Sequence, residues 1–148
     1  MTLRFIKLDG NQLDKFTELI KLFEVVFEMK NFSKINRDHL QQFLAKPGFI
    51  VYVAESEERI IGGLTAYLLD QYYSDKPIAF IYDVAVKEEF QRQGIGKKLI
   101  AHLSEHCKSL GIEEMFVLAD VEDEHAIDFY RATLGEESNV VNFNYYLK

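Results

Sequence analysis

The residues best suited to chemistry form a turn over residues 91–98, which reads QRQGIGKK and follows the apolar stretch VAV. Its two glycines, Gly94 and Gly96, allow positive φ angles and a close approach of the backbone to a ligand. Where a helix starts at such a turn, its first amides have no partner within the helix, and its dipole favours an anion there. Basic side chains in the turn add positive charge to an otherwise acidic chain. The turn therefore predicts a binding site for a phosphate or a pyrophosphate.

The turn departs from two common nucleotide-binding motifs. A Rossmann fingerprint needs the spacing G-x-G-x-x-G, and Leu99 stands where the third glycine would be. A Walker loop needs G-x-x-x-x-G-K-[ST], but this chain lacks the upstream glycine and has Lys98 in place of the hydroxyl residue. From the G-x-G spacing alone, an ordinary glycine-rich start of a helix remains an alternative.

Apolar periodicity predicts the elements that would position this turn. Alternating or continuous apolar runs predict strands at residues 3–8, 49–54, 60–69, 78–86, 115–119 and 140–147. Helical spacing predicts helices at residues 11–29, 96–110 and 124–133, and a short helix that begins at Ser33 or Asn36 and ends at Leu44. The order β-α-α-β-β-β-α-β-α-β indicates an α/β (α+β) fold with a mixed sheet and helices on both faces. With no linker or repeat, residues 1–148 are expected to form a single domain.

Composition narrows the function classes. The chain has 148 residues, 48% of them apolar, and a net charge of −7, which predicts a soluble domain with a sizeable core. The negative charge opposes general affinity for nucleic acid or an anionic membrane and favours small cationic partners. One cysteine, Cys107, excludes an internal disulfide framework and fits a reducing cytosol. Because we find no signal peptide and no apolar run of the roughly 18 residues that span a bilayer, a cytoplasmic protein is expected.

Two segments resemble the motifs of one enzyme family. The spacing Q-x-x-G-x-G at residues 91–96, after the stretch DVAV, is similar to the acetyl-CoA motif of the GNAT N-acetyltransferases. The stretch DEHAIDFY, from Asp123 to Tyr130, resembles the family's later N-x-x-A-x-x-x-Y segment, with Asp123 where asparagine is commoner. Gly135 follows Tyr130 by five residues, where four is usual. Because the predicted order of elements is also the family's, the resemblance covers nearly the whole chain and implies a GNAT-like, mostly antiparallel sheet.

Within this family, residues 81–86, 119–120, 129–130 and 139–143 look most like the GNAT-type aminoglycoside 3-N-acetyltransferases. That likeness implies a small cationic amine as the partner, with the 3-amino group of an aminoglycoside as the acceptor. The alternatives are a GNAT enzyme for another small amine or a protein N-terminus, or a non-catalytic acyl-CoA-binding module. A homodimer is left open.

The resemblance also implies acetyl-CoA as co-substrate. In GNAT enzymes the pantetheine arm lies between the fourth and fifth strands and pairs with strand backbone, which would here be residues 84–86. The amides of residues 91–97 would hold the pyrophosphate. The cofactor-binding residues implied in this way are Val84, Ala85, Val86, Gln91, Arg92, Gln93, Gly94, Ile95, Gly96, Lys97, Asp123 and Ala126.

The mechanism that the resemblance implies is direct transfer of the acetyl group to the amine. An amine near its unperturbed pKa is mostly protonated at pH 7, so a carboxylate has to remove a proton. Asp120, which ends an apolar strand, and Asp83, which lies inside one, are the candidate bases or amine anchors; a hydrogen-bonded structural carboxylate is the alternative for each. Tyr130 matches the family's tyrosine and would protonate the thiolate leaving group, unless it is a core residue beside Phe129.

One pattern in the chain is typical of a metal site. Residues 102–106 read H-x-x-E-H, which places two histidines on one face of a helix. No third ligand is evident in the sequence, and this helix follows the predicted phosphate-binding turn. We therefore expect no metal.

Overall fold

The computed structural model describes residues 2–30 and 36–148. Its strands are β1 (Leu3–Lys7), β2 (Phe49–Ser56), β3 (Arg59–Leu69), β4 (Ile78–Val86) and β5 (Met115–Val117). Its helices are α1 (Leu13–Val26), α2 (Arg37–Leu44), α3 (Ile95–Ser109) and α4 (Glu124–Ala132), with a 3₁₀ turn at Glu88–Phe90.

The expected cap of α2 is confirmed at Asn36, whose side chain accepts hydrogen bonds from the two amides at Asp38 and His39. The alternative cap, Ser33, lies outside the described residues.

The strands form one sheet in the order β1-β2-β3-β4-β5. The first four strands pair in antiparallel fashion, whereas β4 and β5 are parallel. A parallel pair needs a long crossover connection, and α3 lies in that connection. The expected fold class, a mixed and mostly antiparallel sheet flanked by helices, is confirmed.

Each face of the sheet is covered by helices. On one face α3 buries Leu99, Leu103 and Cys107, whose spacing of four residues places them on one side of the helix. On the opposite face α1 and α2 pack around Leu19, which is fully buried. Alternate residues of β2 point to these two faces, so that Val53 belongs to the α1 side. The alternation of β2 therefore supplies both layers of the core.

Strand β3 allows α1 to pack closely at Gly63. A Cβ built at Gly63 would lie 2.5 Å from Cδ1 of Leu19 and 2.9 Å from the carbonyl oxygen of Tyr52. We expect Gly63→Ala to lower the free energy of unfolding by about 1–3 kcal/mol, because a buried side chain and a strand backbone would both have to shift. Urea denaturation measures the effect. Gly10→Ala is the control, since its Cβ would meet neighbours only at 3.6 Å or more; equal losses in both variants would contradict the role given to Gly63.

The strand predicted at residues 140–147 is not formed. These residues have no regular secondary structure, and β5 is the last strand of the sheet. That prediction is wrong for the single chain. Alternating apolar residues make a segment compatible with a strand, but a strand forms only when its backbone pairs with a neighbour. The sequence pattern alone does not supply that neighbour.

The chain divides into two compact units, Met1–Leu118 and Ala119–Lys148. The first unit contains the sheet with α1, α2 and α3, and the second contains α4. The single domain expected from the sequence stays a prediction.

None of the helices in the described part of the chain combines the length and the apolar character that a membrane span requires.

Candidate functional site

Strand β4 contains a β-bulge at Tyr82. Thr65 of β3 pairs with Asp83, while the next residue of β3, Ala66, pairs with Ile81. Tyr82 is therefore the extra residue on β4, and the alternation of side chains is interrupted there. As a result, Tyr82 and Asp83 come to lie on the same face of the sheet, the one covered by α1 and α2.

Beyond this bulge β4 no longer pairs with β5. The parallel pairing of the two strands ends at Ile81 and Val117. The last three residues of β4, 84–86, stay paired with β3 on one edge, and no strand of the described chain pairs with their other edge. Unpaired amides and carbonyls along an extended strand can pair with an extended ligand that itself carries amide groups. This open edge leads directly into the glycine turn.

The turn that follows β4 presents backbone amides. The side-chain amide of Gln91 donates a hydrogen bond of 2.9 Å to the carbonyl of Val86, which ties the turn to the end of the strand. Arg92 and Gly94 have left-handed φ angles of 63° and 79°, as in loops whose successive N–H groups converge on an anion. Helix α3 then begins at Ile95 without a side-chain cap. The local structure is thus the one that a phosphate site needs.

Two other helices in this chain, unlike α3, have a side-chain cap at the N-terminus. Asn36 caps α2, and Asp123 caps α4 by accepting a hydrogen bond of 3.1 Å from the amide of Ala126. At the start of α3, by contrast, Lys97 and Lys98 are exposed and positively charged. Asp123 therefore has a structural function in the second unit, and its contact with the cofactor stays a prediction.

Asp83 is half-buried beside two tyrosines, Tyr67 and Tyr82. Burial raises the pKa of the Asp83 carboxyl above its usual value of 3.8. Burial also raises the pKa of Tyr67, with smaller contributions from Tyr82 and Asp83. The two tyrosine rings meet edge to face, with their centroids 5.4 Å apart. A carboxylate whose pKa is raised is a stronger proton acceptor than an exposed one, which suits a general base.

Tyr67 and Tyr82 are residues of this site that sequence reasoning misses. Both lie in apolar strand patterns, where an aromatic ring normally indicates core packing. Tyr82 is in fact 58% exposed, and the bulge places Asp83 on the same face of the sheet. The only signal in the sequence is the Tyr-Asp pair within IYDVAV, which places two polar side chains in succession in an otherwise apolar strand.

Asp120 and Tyr130 belong to the second unit. Asp120 is exposed, and its Oδ1 atom accepts a hydrogen bond of 2.9 Å from the amide of Glu122, which forms a local turn. Tyr130 is half-buried, with its ring centroid 5.0 Å from that of Phe129. The local turn at Asp120 and the packing of Tyr130 against Phe129 are the structural alternatives that the sequence analysis gave for these residues. The catalytic roles of both residues stay predictions.

The H-x-x-E-H histidines of α3 contact aromatic rings. The ring of His102 stacks on Phe5 with centroids 4.8 Å apart, and that of His106 lies edge-on to Tyr52 at 6.3 Å. Burial and, to a lesser degree, the charge of Lys7 lower the pKa of His106. Within the described residues, no group of three or more His, Cys, Asp or Glu side chains is placed to hold a metal ion.

A wide cleft of about 1070 Å³ lies between α1, the β2–β3 connection and residues 87–91, where the turn begins. Its charged lining is mainly acidic, with six glutamates against three basic side chains. A carboxylate-rich wall opposes the binding of phosphates. The amides at the start of α3 are therefore the better place for an anion.

Comparison with known proteins points to one family. Residues 15–135 match the family model described as acetyltransferase (GNAT) family. The aminoglycoside acetyltransferase meta-AAC0020, from an uncultured soil metagenomic sample, is 53% identical in its crystal structure with trehalose, with a TM-score of 0.97 over 99% of this chain and 97% of that chain. Its structure in complex with sisomicin is 52% identical, with the same coverage and TM-score. The aminoglycoside acetyltransferase HMB0005, also from an uncultured soil metagenomic sample, is 30% identical over 100% of both chains, with a TM-score of 0.93.

More distant similarities agree with this family. The [ribosomal protein bS18]-alanine N-acetyltransferase of Escherichia coli (strain K12) is 28% identical over 85 residues, which are 57% of this chain and 55% of that protein. The chain thus spans about half the length of the curated relatives that it matches. The aminoglycoside N-acetyltransferase AAC(6')-Iy in complex with CoA is 18% identical, with a TM-score of 0.80 over 98% of this chain and 95% of that chain, a similarity of fold.

Proposed function

Because the chain belongs to the acetyltransferase (GNAT) family, we propose that it transfers the acetyl group of acetyl-CoA to a primary amine of an aminoglycoside. The observation that carries this proposal is the 53% identity to an aminoglycoside acetyltransferase over 99% of the chain. The sisomicin complex of that relative supports a small cationic acceptor. The net charge of −7 favours the approach of such a cation.

Two features of the first unit fit acetyl-CoA. The open edge at residues 84–86 offers backbone groups to the amides of a pantetheine arm. The uncapped amides at the start of α3, together with Lys97 and Lys98, suit a diphosphate. Because the open edge leads into the turn, one extended ligand could use both features. The function of these residues as the cofactor site is our proposal.

The proposed chemistry needs one base and one acid. The neutral amine nitrogen attacks the thioester carbonyl, a C–N bond forms, the C–S bond breaks, and the amine proton passes to a carboxylate. Asp83 is the proposed base, since burial raises its pKa and the bulge brings it beside Tyr82 on one face of the sheet. Tyr130 is the proposed acid that protonates the departing thiolate. Asp120 is proposed as an anchor for an ammonium group of the acceptor.

The acceptor and the position of transfer are tested with a panel of amines. Purified protein and acetyl-CoA are incubated with gentamicin-like aminoglycosides, linear polyamines, amino acids and a peptide with an N-terminal alanine, and free CoA is measured. We expect release of CoA with aminoglycosides above all, and nuclear magnetic resonance of the product to locate the acetyl group on the 3-amino nitrogen.

Each other outcome of this panel selects a different function. Transfer to the peptide alone would favour a protein N-terminal acetyltransferase; the 28% identical relative is named as an alanine N-acetyltransferase of a ribosomal protein. Acetylation at another amino group would retain the enzyme and its substrate class but overturn the 3-amino assignment. Binding of acetyl-CoA without turnover of any amine would favour the non-catalytic module. A cytoplasmic location and a homodimer stay predictions of the sequence analysis.

A further inference from the structure

Tyr67 of β3 is the diagonal neighbour of Asp83 across the sheet. Thr65 pairs directly with Asp83, and Tyr67 lies two residues further along β3. Residues two apart on a strand point to the same face, and diagonal neighbours in an antiparallel pair are roughly 7–8 Å apart, a distance that an aromatic side chain can bridge. Consistent with this placement, the charge of Asp83 contributes to raising the pKa of Tyr67. The two side chains are therefore neighbours on the face covered by α1 and α2.

The ring of Tyr67 is held by rings from two other elements. Its centroid is 5.3 Å from that of Phe49, a buried residue of β2, and 6.1 Å from that of Phe43 on α2. Phe43 and Phe49 also meet edge to face, with their centroids 4.4 Å apart. Tilted and edge-to-face pairs of this kind are favourable arrangements of aromatic rings. The orientation of Tyr67 is thus set within the protein, by α2 and β2.

Tyr67 in turn restrains the ring of Tyr82, the bulge residue of β4. The two rings are nearly perpendicular, with an interplanar angle of 85°. On its own strand, Tyr82 meets Phe80 at a centroid distance of 5.8 Å and an angle of 83°, and Phe80 stacks on Phe116 of β5. Exposed side chains ordinarily exchange between rotamers, but two perpendicular rings contact this one. Tyr82 therefore presents its exposed surface in a restricted orientation.

Asp83 has uncharged surroundings on this face of the sheet. The side chains that α1 and α2 bury are apolar, Thr65 is uncharged, and the short strand β5 consists of Met115–Val117. Helix α3 packs on the opposite face. Among the described residues, Tyr67 and Tyr82 are therefore the titratable groups that face the carboxyl, and burial is the cause that raises its pKa. A side chain that keeps water from Asp83 thus controls how readily it ionises.

We propose that Tyr67 is a positioning residue for the acetyl transfer, whose ring holds Tyr82 in one orientation and shields the Asp83 carboxyl from water. Tyr67 does not have to touch the acceptor in this role, because it acts through its two neighbours. A carboxylate that is shielded and fixed in place is a stronger and better aligned base than one that rotates in water. The inference rests on the proposed function, since it takes Asp83 as the group that accepts the amine proton.

Carbon-13 nuclear magnetic resonance of the Asp83 carboxyl, recorded against pH without acetyl-CoA or an acceptor, tests the shielding directly. In Tyr67→Leu we expect the pKa of Asp83 to fall toward its usual value of 3.8, because leucine is too short to cover the carboxyl. Tyr67→Phe retains the ring and is expected to keep the raised pKa. Tyr52→Leu is the matched control: it makes the same substitution on the face covered by α3 and is expected to leave this pKa unchanged.

The pH profile of kcat/KM separates positioning from a general loss of stability. Tyr67→Leu is expected to lower kcat/KM by roughly 10–100-fold and to move its fall at low pH to a lower pH, with little change in acetyl-CoA affinity. Tyr67→Phe is expected to retain most of the activity. Tyr52→Leu is expected to lower Tm without moving the pH profile.

Two results would overturn this role of Tyr67. The first is an unchanged pKa of Asp83 in Tyr67→Leu, whatever the activity of that variant. The second is an equal loss of activity in Tyr67→Leu and Tyr67→Phe, which would assign the effect to the hydroxyl rather than to the ring. A lowered pKa in Tyr67→Leu together with full activity of Asp83→Asn would support the shielding by Tyr67 and show that Asp83 is not the base.

Discussion

Gly94→Asp is expected to weaken acetyl-CoA binding by about 100-fold or more while the chain stays folded. A Cβ at Gly94 would meet no atom within 4 Å, and aspartate tolerates a left-handed backbone better than most residues. The new carboxylate would stand at the uncapped N-terminus of α3, where it would repel a diphosphate and compete for the same amides. Isothermal titration calorimetry with acetyl-CoA measures the change, and thermal unfolding confirms that the variant is folded.

Gly94→Asn separates charge from shape in this experiment. Asparagine has nearly the same size as aspartate and also tolerates the φ angle of 79° at this position, but it carries no charge. We expect it to retain more affinity than Gly94→Asp. Unchanged affinity in the aspartate variant would mean that the turn does not hold the pyrophosphate. Equal losses in the two variants would attribute the effect to the shape of the turn.

Asp83→Asn is expected to lower kcat/KM by about 10²–10⁴-fold, the usual contribution of a general base, with little change in acetyl-CoA affinity. In the unsubstituted protein, kcat/KM should fall as the pH drops through the pKa of Asp83, which burial raises. The asparagine variant should lack this fall, because it has no carboxyl group to protonate. A pH profile of kcat/KM with a saturating concentration of acetyl-CoA measures both effects.

The stability of the same variant distinguishes a base from a structural carboxylate. Because the pKa of Asp83 is higher in the folded chain than in the unfolded one, ionisation opposes folding. This cost is absent below pH 3.8, grows as the pH rises through the folded pKa, and persists at neutral pH. Asp83→Asn should therefore have an equal or higher Tm at pH 7. A lower Tm together with unchanged kcat/KM would show that Asp83 is structural.

Tyr130→Phe serves as the matched comparison for the pH profile. It removes only the hydroxyl of the proposed acid, so turnover should fall while the loss of activity at low pH remains. If the low-pH loss disappears in Tyr130→Phe and persists in Asp83→Asn, the base is not Asp83. Asp120→Asn would then be the next variant to measure.

Features that depend on neighbouring residues in the chain were predictable from the sequence. The spacing of apolar residues predicted β4 at the residues where it forms, Ile78–Val86, and predicted α3 to within one residue of its observed start at Ile95. Asn36, one of the two residues expected to cap α2, does so with its side chain. The glycine turn was expected to lead into a helix, and Gly94 has the positive φ angle that this requires. In each case the physical cause, a helical period, a cap or a left-handed residue, acts within a few residues of the chain.

Features that depend on the pairing of strands were decided by the tertiary structure alone. The bulge at Tyr82 and the end of the pairing between β4 and β5 depend on the register in which neighbouring strands are held, which no local pattern in β4 encodes. The same applies to residues 140–147, whose alternation is typical of a strand although the single chain provides no partner for it. Apolar periodicity determines which face of an element can be buried. Only the positions of the other elements determine whether that face is buried, and where a strand edge stays open for a ligand.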